Sequence, residues 1–147
     1  MSYKKLTFLV IDDARLIREI LKEMIEVNLG HKVIGIGKSG QDAITMYRNL
    51  NPDIVTMDIA MPGIDGNQAL KAIKEINENA KVVMMTSKGQ SDIVRTSIKL
   101  KADAYILKPP SPQKLYDVVE KLFPNFEENF VEKDEEYIDK FYEFGDD

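Results

Sequence analysis

Five short apolar runs alternate along the chain with five stretches whose apolar residues recur at three- and four-residue spacing. Residues 6–11 predict a first buried strand, stopped by the acid pair Asp12 and Asp13. Ile17, Ile20, Leu21 and Met24 then keep helical spacing, which predicts an amphipathic helix from Ala14 to about Leu29, ended near Gly30. Residues 32–37 read as a second strand and 40–50 as a second helix, broken by Asn51 and Pro52. Ile54, Val55 and Met57 carry a third strand into Asp58, and Met61, Pro62, Gly63 and Gly66 cannot continue it. A third helix over 67–77 turns Leu70 and Ile73 inward. Residues 82–85 predict a fourth strand, Thr86 to Gly89 a loop, 90–100 a fourth helix, and 104–107 a fifth strand. Lys108, Pro109 and Pro110 then lead into a fifth helix over 112–123, with Pro112 at its tolerated first turn. Strict alternation implies right-handed crossovers and a parallel sheet covered on both faces, an α/β doubly wound domain.

Composition narrows the class. The chain has 147 residues, enough for one domain with a sizeable core, and 44% hydrophobic with 31% charged residues is the balance of a soluble globular protein. The net charge of −5 is unevenly spread. From Pro124 onward there are ten acids and two lysines, a net of −8, which leaves residues 1–123 at +3. An acidic tail on a mildly basic body argues against a nucleic-acid partner. With no cysteine, disulfides, Cys-ligated zinc and thiol catalysis are excluded. The apolar run at 6–11 is cut by acids too early for a signal peptide or membrane span, so no membrane role and a cytoplasmic location are expected.

The candidate chemistry stands at the strand ends: Asp12 and Asp13 after the first, Asp58 after the third, Thr86 after the fourth, Lys108 after the fifth. Alone, Asp58 reads more readily as a turn or capping aspartate, Asp12 and Asp13 as helix caps, and Thr86 and Lys108 as loop residues. If the strand order is 2-1-3-4-5, all of them face one crevice at the topological switch point. Three carboxylates gathered there repel one another unless a cation sits among them. Only oxygen ligands are at hand, which suits a hard ion, and Mg²⁺ fits because it accepts few protein ligands and keeps its waters. Lys108, Thr86 and Mg²⁺ suit the oxygens of a phosphoryl anion, and a carboxylate beside them can be its nucleophile, giving an aspartyl phosphate.

Across roughly residues 5–123 these features resemble response-regulator receiver domains, the CheY-like single-domain kind included. The resemblance rests on Asp12 and Asp13, Asp58 with the following Met-Pro-Gly-x-Asp-Gly loop, Thr86 followed by small Ser87, Tyr105, and Lys108 with Pro109. It implies a flavodoxin-like five-stranded sheet in the order 2-1-3-4-5, which is the order of CheY itself. It further implies that Asp58 is the phosphoacceptor for a histidine kinase's phosphohistidine. Asp13, Asp58 and the backbone carbonyl of Ala60 would bind Mg²⁺ directly, and Asp12 largely through water. Lys108 would bridge to Asp58 and then to its phosphoryl group, with a cis Lys108–Pro109 bond. Thr86 and Tyr105 would carry the switch to a face made by helix 4, strand 5 and helix 5, where a downstream protein binds. Chemotaxis, with the flagellar motor switch as target, is favoured by the aromatic Tyr105. The alternatives are a phosphorelay intermediate or, from a different class, a small aspartyl-phosphate phosphatase. That enzyme class usually places a second acid where this chain has Ala60.

Ala60 and Lys88 occupy the two positions that flank the path of a hydrolytic water in the family, so phosphate lifetime and any phosphatase partner hang on them. Gly35, Gly37 and Gly40 spell a dinucleotide-type GxGxxG, but the first two fall inside a strand and the motif follows the wrong strand. His31, the sole histidine, is expected to be solvated in a turn, and Met57, Met84 and Met85 to fill the core. Residues 124–147 hold six of the twelve aromatics, with Phe130, Tyr137, Phe141 and Phe144 on one helical stripe. They are expected to form a helical or disordered extension beyond a receiver domain at 1–123; as a helix it would pack on the body or on a second copy, and the alternative is a frayed acidic tail.

Overall fold

The computed structural model describes residues 5–87 and 89–124. Its elements follow the order β1 (Thr7–Ile11), α1 (Arg15–Glu23), β2 (Lys32–Gly37), α2 (Gly40–Leu50), β3 (Ile54–Asp58), α3 (Gly66–Ile76), β4 (Lys81–Thr86), α4 (Ser91–Lys99), β5 (Ala104–Leu107) and α5 (Pro112–Leu122). The five strands are parallel and lie in the order β2-β1-β3-β4-β5. β1 and β3 are therefore neighbours, although a strand and two helices separate them in sequence.

Period-two alternation sorts the strand side chains into two cores. Phe8, Val10, Val83 and Met85 pack with Leu21, Ile25, Leu115 and Val119 under α1 and α5. Leu9, Ile11, Met57, Val82 and Met84 pack with Ala43, Leu70 and Ile73 under α2 and α3. Every residue of β3 is buried, as its near-continuous apolar run requires for a central parallel strand. Ser39 caps α2, Ser111 caps α5, and Asp65 with Gln68 forms a reciprocal capping box at α3.

Two expectations are corrected. The first helix does not run as one α-helix to Leu29: it passes after Glu23 into a π-helical turn, Met24–Asn28, closed by Leu29 N–H donating to Met24 O at 3.0 Å. This wider turn still buries Met24, Ile25, Asn28 and Leu29. His31 is not solvated either. It is 4% exposed, its ring lies 5.9 Å from that of Phe8, and its Nδ1 accepts the Leu6 N–H at 3.1 Å. Burial pushes its pKa down to about 4, with Lys5 adding to the effect. The expected extension at 124–147 lies outside the described residues beyond Pro124, and Lys88 lies outside them as well.

Candidate functional site

The site begins with where each strand stops. β1 hands over to Asp12, whose N–H donates to Gly37 O of β2 at 3.1 Å, so the carboxylate is fixed at the sheet's C-terminal edge and fully buried. Its Oδ1 accepts the Ala14 N–H at 2.9 Å, while the N-cap of α1 is Ala14, which makes no side-chain cap. Asp12 therefore spends one oxygen on the turn and turns the other, Oδ2, toward the crevice. Asp13 beside it is exposed.

Asp58 is the last residue of β3, paired with Met85 of β4. The chain turns at once: Ile59 N–H still bonds Met85 O, and the Ala60 N–H turns back to Asp58 Oδ1 at 3.2 Å. Gly66 opens α3 directly against this corner. A Cβ there would lie 2.3 Å from Asp58 O and 2.7 Å from Ile59 Cα, so only glycine lets the helix approach.

From the far side Lys108, just past β5, reaches across the edge. Its Nζ lies 2.8 Å from Asp12 Oδ2 and 3.0 Å from Asp58 Oδ1. The peptide from Lys108 to Pro109 is cis, and Lys108 N–H donates to Thr86 O at 2.7 Å. Burial lifts the Asp58 carboxyl to about 6, Asp13 and Asp12 push the same way, and Lys108 opposes them. Burial works against the Lys108 ammonium, but the Asp12 and Asp58 carboxylates outweigh it and raise its pKa.

One oxygen from each of Asp12, Asp13 and Asp58 lies within 4.8 Å of the others. Asp12 Oδ2 is buried, and its partner is the Lys108 ammonium at 2.8 Å. Three carboxylates gathered around one ammonium, in an all-oxygen donor set, fit a hard divalent ion such as Mg²⁺.

Thr86 ends β4, next along from the residue paired with Asp58, but its hydroxyl points elsewhere: Oγ1 donates to Gln90 Oε1 at 3.0 Å. Ser87 N–H donates to the same Gln90 oxygen at 2.7 Å. Tyr105 lies on β5 opposite Met84, half-buried against the α2/α3 core, and its hydroxyl is buried without a hydrogen-bond partner. Ala60 is exposed beside Asp58. Thus Asp12, Asp13, Asp58 and Lys108 come together, whereas the Thr86 hydroxyl at the end of β4 is turned to Gln90 and Tyr105 lies within β5 with its hydroxyl unengaged.

Two residues in this region had no signal in the sequence. The sequence pattern reads Gln90 only as the start of the fourth helix. Asn67, 8% exposed, donates from Nδ2 to Ile93 O at 3.0 Å and so ties α3 to α4, while its Oδ1 makes no hydrogen bond. The glycines of the GxGxxG motif serve packing: a Cβ at Gly35 or Gly37 would meet Leu9 or Ile11 of β1 within 3 Å.

A five-stranded sheet in this order, with acids after β1 and β3 and a lysine after β5, is the architecture of a receiver domain. Residues 8–120 match the response regulator receiver domain family, and the chain belongs to that family. It is similar to the chemotaxis protein CheY of Thermotoga maritima, 39% identical over 114 residues that cover 78% of this chain and 94% of that one. Among solved structures it resembles one from the CheX–CheY–BeF₃–Mg²⁺ complex of Borrelia burgdorferi, with a TM-score of 0.74 and 31% identity over 80% of this chain and 89% of that one. It also resembles the receiver domain of AraT, a response regulator from Geobacillus stearothermophilus, with a TM-score of 0.76 and 28% identity over 86% of this chain and 98% of that one. Among the described residues no helix is long and apolar enough to cross a membrane.

Proposed function

We propose that this protein is a phosphorylation-controlled response regulator that takes a phosphoryl group from a histidine kinase onto Asp58. The observation that carries the reading is the Lys108 ammonium held between Asp12 and Asp58, with Asp13 completing the acid cluster. A carboxylate with a pKa near 6 is still mostly ionised at neutral pH and more basic than an ordinary aspartate, which suits a nucleophile. Its oxygen attacks phosphorus, the donor's P–N bond breaks, and the imidazole leaves. Lys108 then follows the new negative charge as a point charge on one phosphoryl oxygen.

Asp13, Asp58 and the Ala60 carbonyl would hold Mg²⁺ directly, with Asp12 acting through water. When bound, the ion would supply positive charge against the acids and Lewis-acid stabilisation of the phosphoryl group. Thr86 O–H and Ser87 N–H are the donors that turn to the phosphoryl group, and Tyr105 moves with Thr86. Moving a switch from about 1:99 to 99:1 takes roughly 5.5 kcal/mol, and two or three charge-assisted hydrogen bonds at roughly 1.5 to 3 kcal/mol each are sufficient. The output is a protein contact on the α4–β5–α5 face, where Ile98 and Leu107 are exposed. The similarity to CheY proteins supports a chemotaxis target such as the flagellar switch, and a cytoplasmic setting. Ala60 and Lys88 set the lifetime of the phosphate and the access of a phosphatase. Residues 1–123 form the receiver and 124–147 an extension.

The test is incubation with a small phosphodonor and Mg²⁺, followed by intact mass. One lasting phosphoryl adduct, absent in Asp58→Asn and without metal, is expected. Continuous turnover of the donor without an adduct would instead place the protein among aspartyl-phosphate phosphatases.

A further inference from the structure

We infer that Gln90 is a positioning residue, a latch whose single amide oxygen occupies both donors that the phosphorylated site needs. The inference rests on the receiver reading above and adds to it a competitor for the phosphoryl group.

The latch is assembled from Thr86, Ser87, Gly89 and Gln90, at the end of β4 and just beyond it. Gly89 has φ +88°, a conformation that favours glycine, and it turns the chain so that Gln90 faces back toward the strand it has just left. Gln90 Oε1 then accepts Thr86 O–H at 3.0 Å and Ser87 N–H at 2.7 Å. Both lone pairs of that oxygen are used. The hydroxyl has one further acceptor, Ser87 O, at a longer 3.3 Å. Gln90 makes no side-chain cap for α4, so its amide oxygen is committed to the loop rather than to the helix.

The main chain of Thr86 is held independently, by Lys108 N–H on its carbonyl and by pairing of β4 with β5. Release from Gln90 therefore needs only a side-chain rotation of Thr86 and a small swing of Ser87 and Gln90. Because Gln90 O also accepts the Val94 N–H that opens the α4 hydrogen-bond ladder, the same swing moves the start of α4. A neutral amide oxygen is the weaker acceptor, so a phosphoryl group on Asp58 wins the two donors but has to displace Gln90 first. The latch thus sets how far the unphosphorylated protein is held from its active arrangement, and how tightly the active arrangement holds an acyl-phosphate mimic.

The experiment measures Mg²⁺-dependent binding of BeF₃⁻, a mimic of a phosphoryl group on Asp58, to the full chain. Gln90→Met keeps the length of the side chain and removes the acceptor, and about five- to tenfold tighter binding is expected from the loss of two neutral hydrogen bonds. Gln90→Glu keeps the acceptor, strengthens it with charge, and should weaken binding by at least as much. The Ser87 amide proton should shift upfield in Gln90→Met without BeF₃⁻, and coincide with wild type when BeF₃⁻ is bound. Unchanged or weaker binding in Gln90→Met overturns the latch, as does an altered melting temperature with no change in either binding or the Ser87 signal. If wild type binds no BeF₃⁻ in an Asp58-dependent way, the receiver reading itself fails, an outcome distinct from a wild type that binds while the Gln90 variants do not differ.

Discussion

At the scale of single residues the site holds opposed charges, and their titrations have opposite signs. Asp58 is raised from 3.8 to about 6 on folding, chiefly by burial, so the ionised carboxylate costs stability above about pH 6 and the cost fades as pH falls toward 3.8. Asp58→Asn should therefore melt higher than wild type at pH 7.5 in EDTA, by about 1 to 2 kcal/mol once Lys108's loss of a partner is counted. The gap should close with Mg²⁺ or on acidification, and equal melting in EDTA would contradict the assigned electrostatics. His31 behaves in the other sense. Its folded pKa lies near 4 against 6.5 for the free side chain, so its contribution is complete above 6.5 and is lost as pH falls to 4. The loss reaches about 3 kcal/mol, at about 1.4 kcal/mol per pKa unit. Urea titrations of wild type and His31→Gln between pH 7 and 4.5 should converge, because the variant keeps an acceptor for Leu6 N–H but has no proton to gain. Parallel curves would show that His31 is not held neutral.

At the scale of elements, the strand ends were legible because an apolar run meeting an acid, a hydroxyl or a lysine marks both the end of burial and the edge of the sheet. Asp12, Asp58, Thr86 and Lys108 were found in this way. What joins them to their loops was not legible. Gln90 reaches Thr86 only because Gly89 adopts φ +88°, and a loop dihedral leaves no periodic trace. His31 likewise sits after the π-helical turn, whose Met24-to-Leu29 closure helical spacing does not distinguish from an α-turn. Gly66 is the element-scale residue that matters most for the site, since it seats α3 against the backbone of Asp58 and Ile59. Gly66→Ala should displace the helix from that corner, destabilise the fold by about 1 to 3 kcal/mol as overpacking does, and slow phosphorylation. A variant that keeps wild-type stability and a wild-type rate would mean the corner yields freely.

For the whole molecule, the distribution of charge sets the remaining question. Residues 1–123 carry +3 and residues 124–147 carry −8, with half of the aromatics in the smaller part. So high a share of aromatics is unlike the composition of a purely solvating acidic segment. Phe130, Tyr137, Phe141 and Phe144 fall at helical spacing, and because a helix that short would be marginal alone in water, docking on a receiver, its own or that of a second copy, is the expectation to test. Burial of those aromatics and the attraction between a −8 segment and a +3 body would both favour contact, but they respond differently to salt. The Debye length falls from about 10 Å at 0.1 M to about 3 Å at 1 M, which removes the charge contribution and leaves the apolar one. Deleting 124–147 should therefore lower the melting temperature most at low ionic strength, with a smaller loss persisting in 1 M salt. If the tail joins two copies, the deletion should also abolish the concentration dependence of both melting and sedimentation. A truncated protein with unchanged melting and an unchanged oligomeric state at low salt would refute docking in either form.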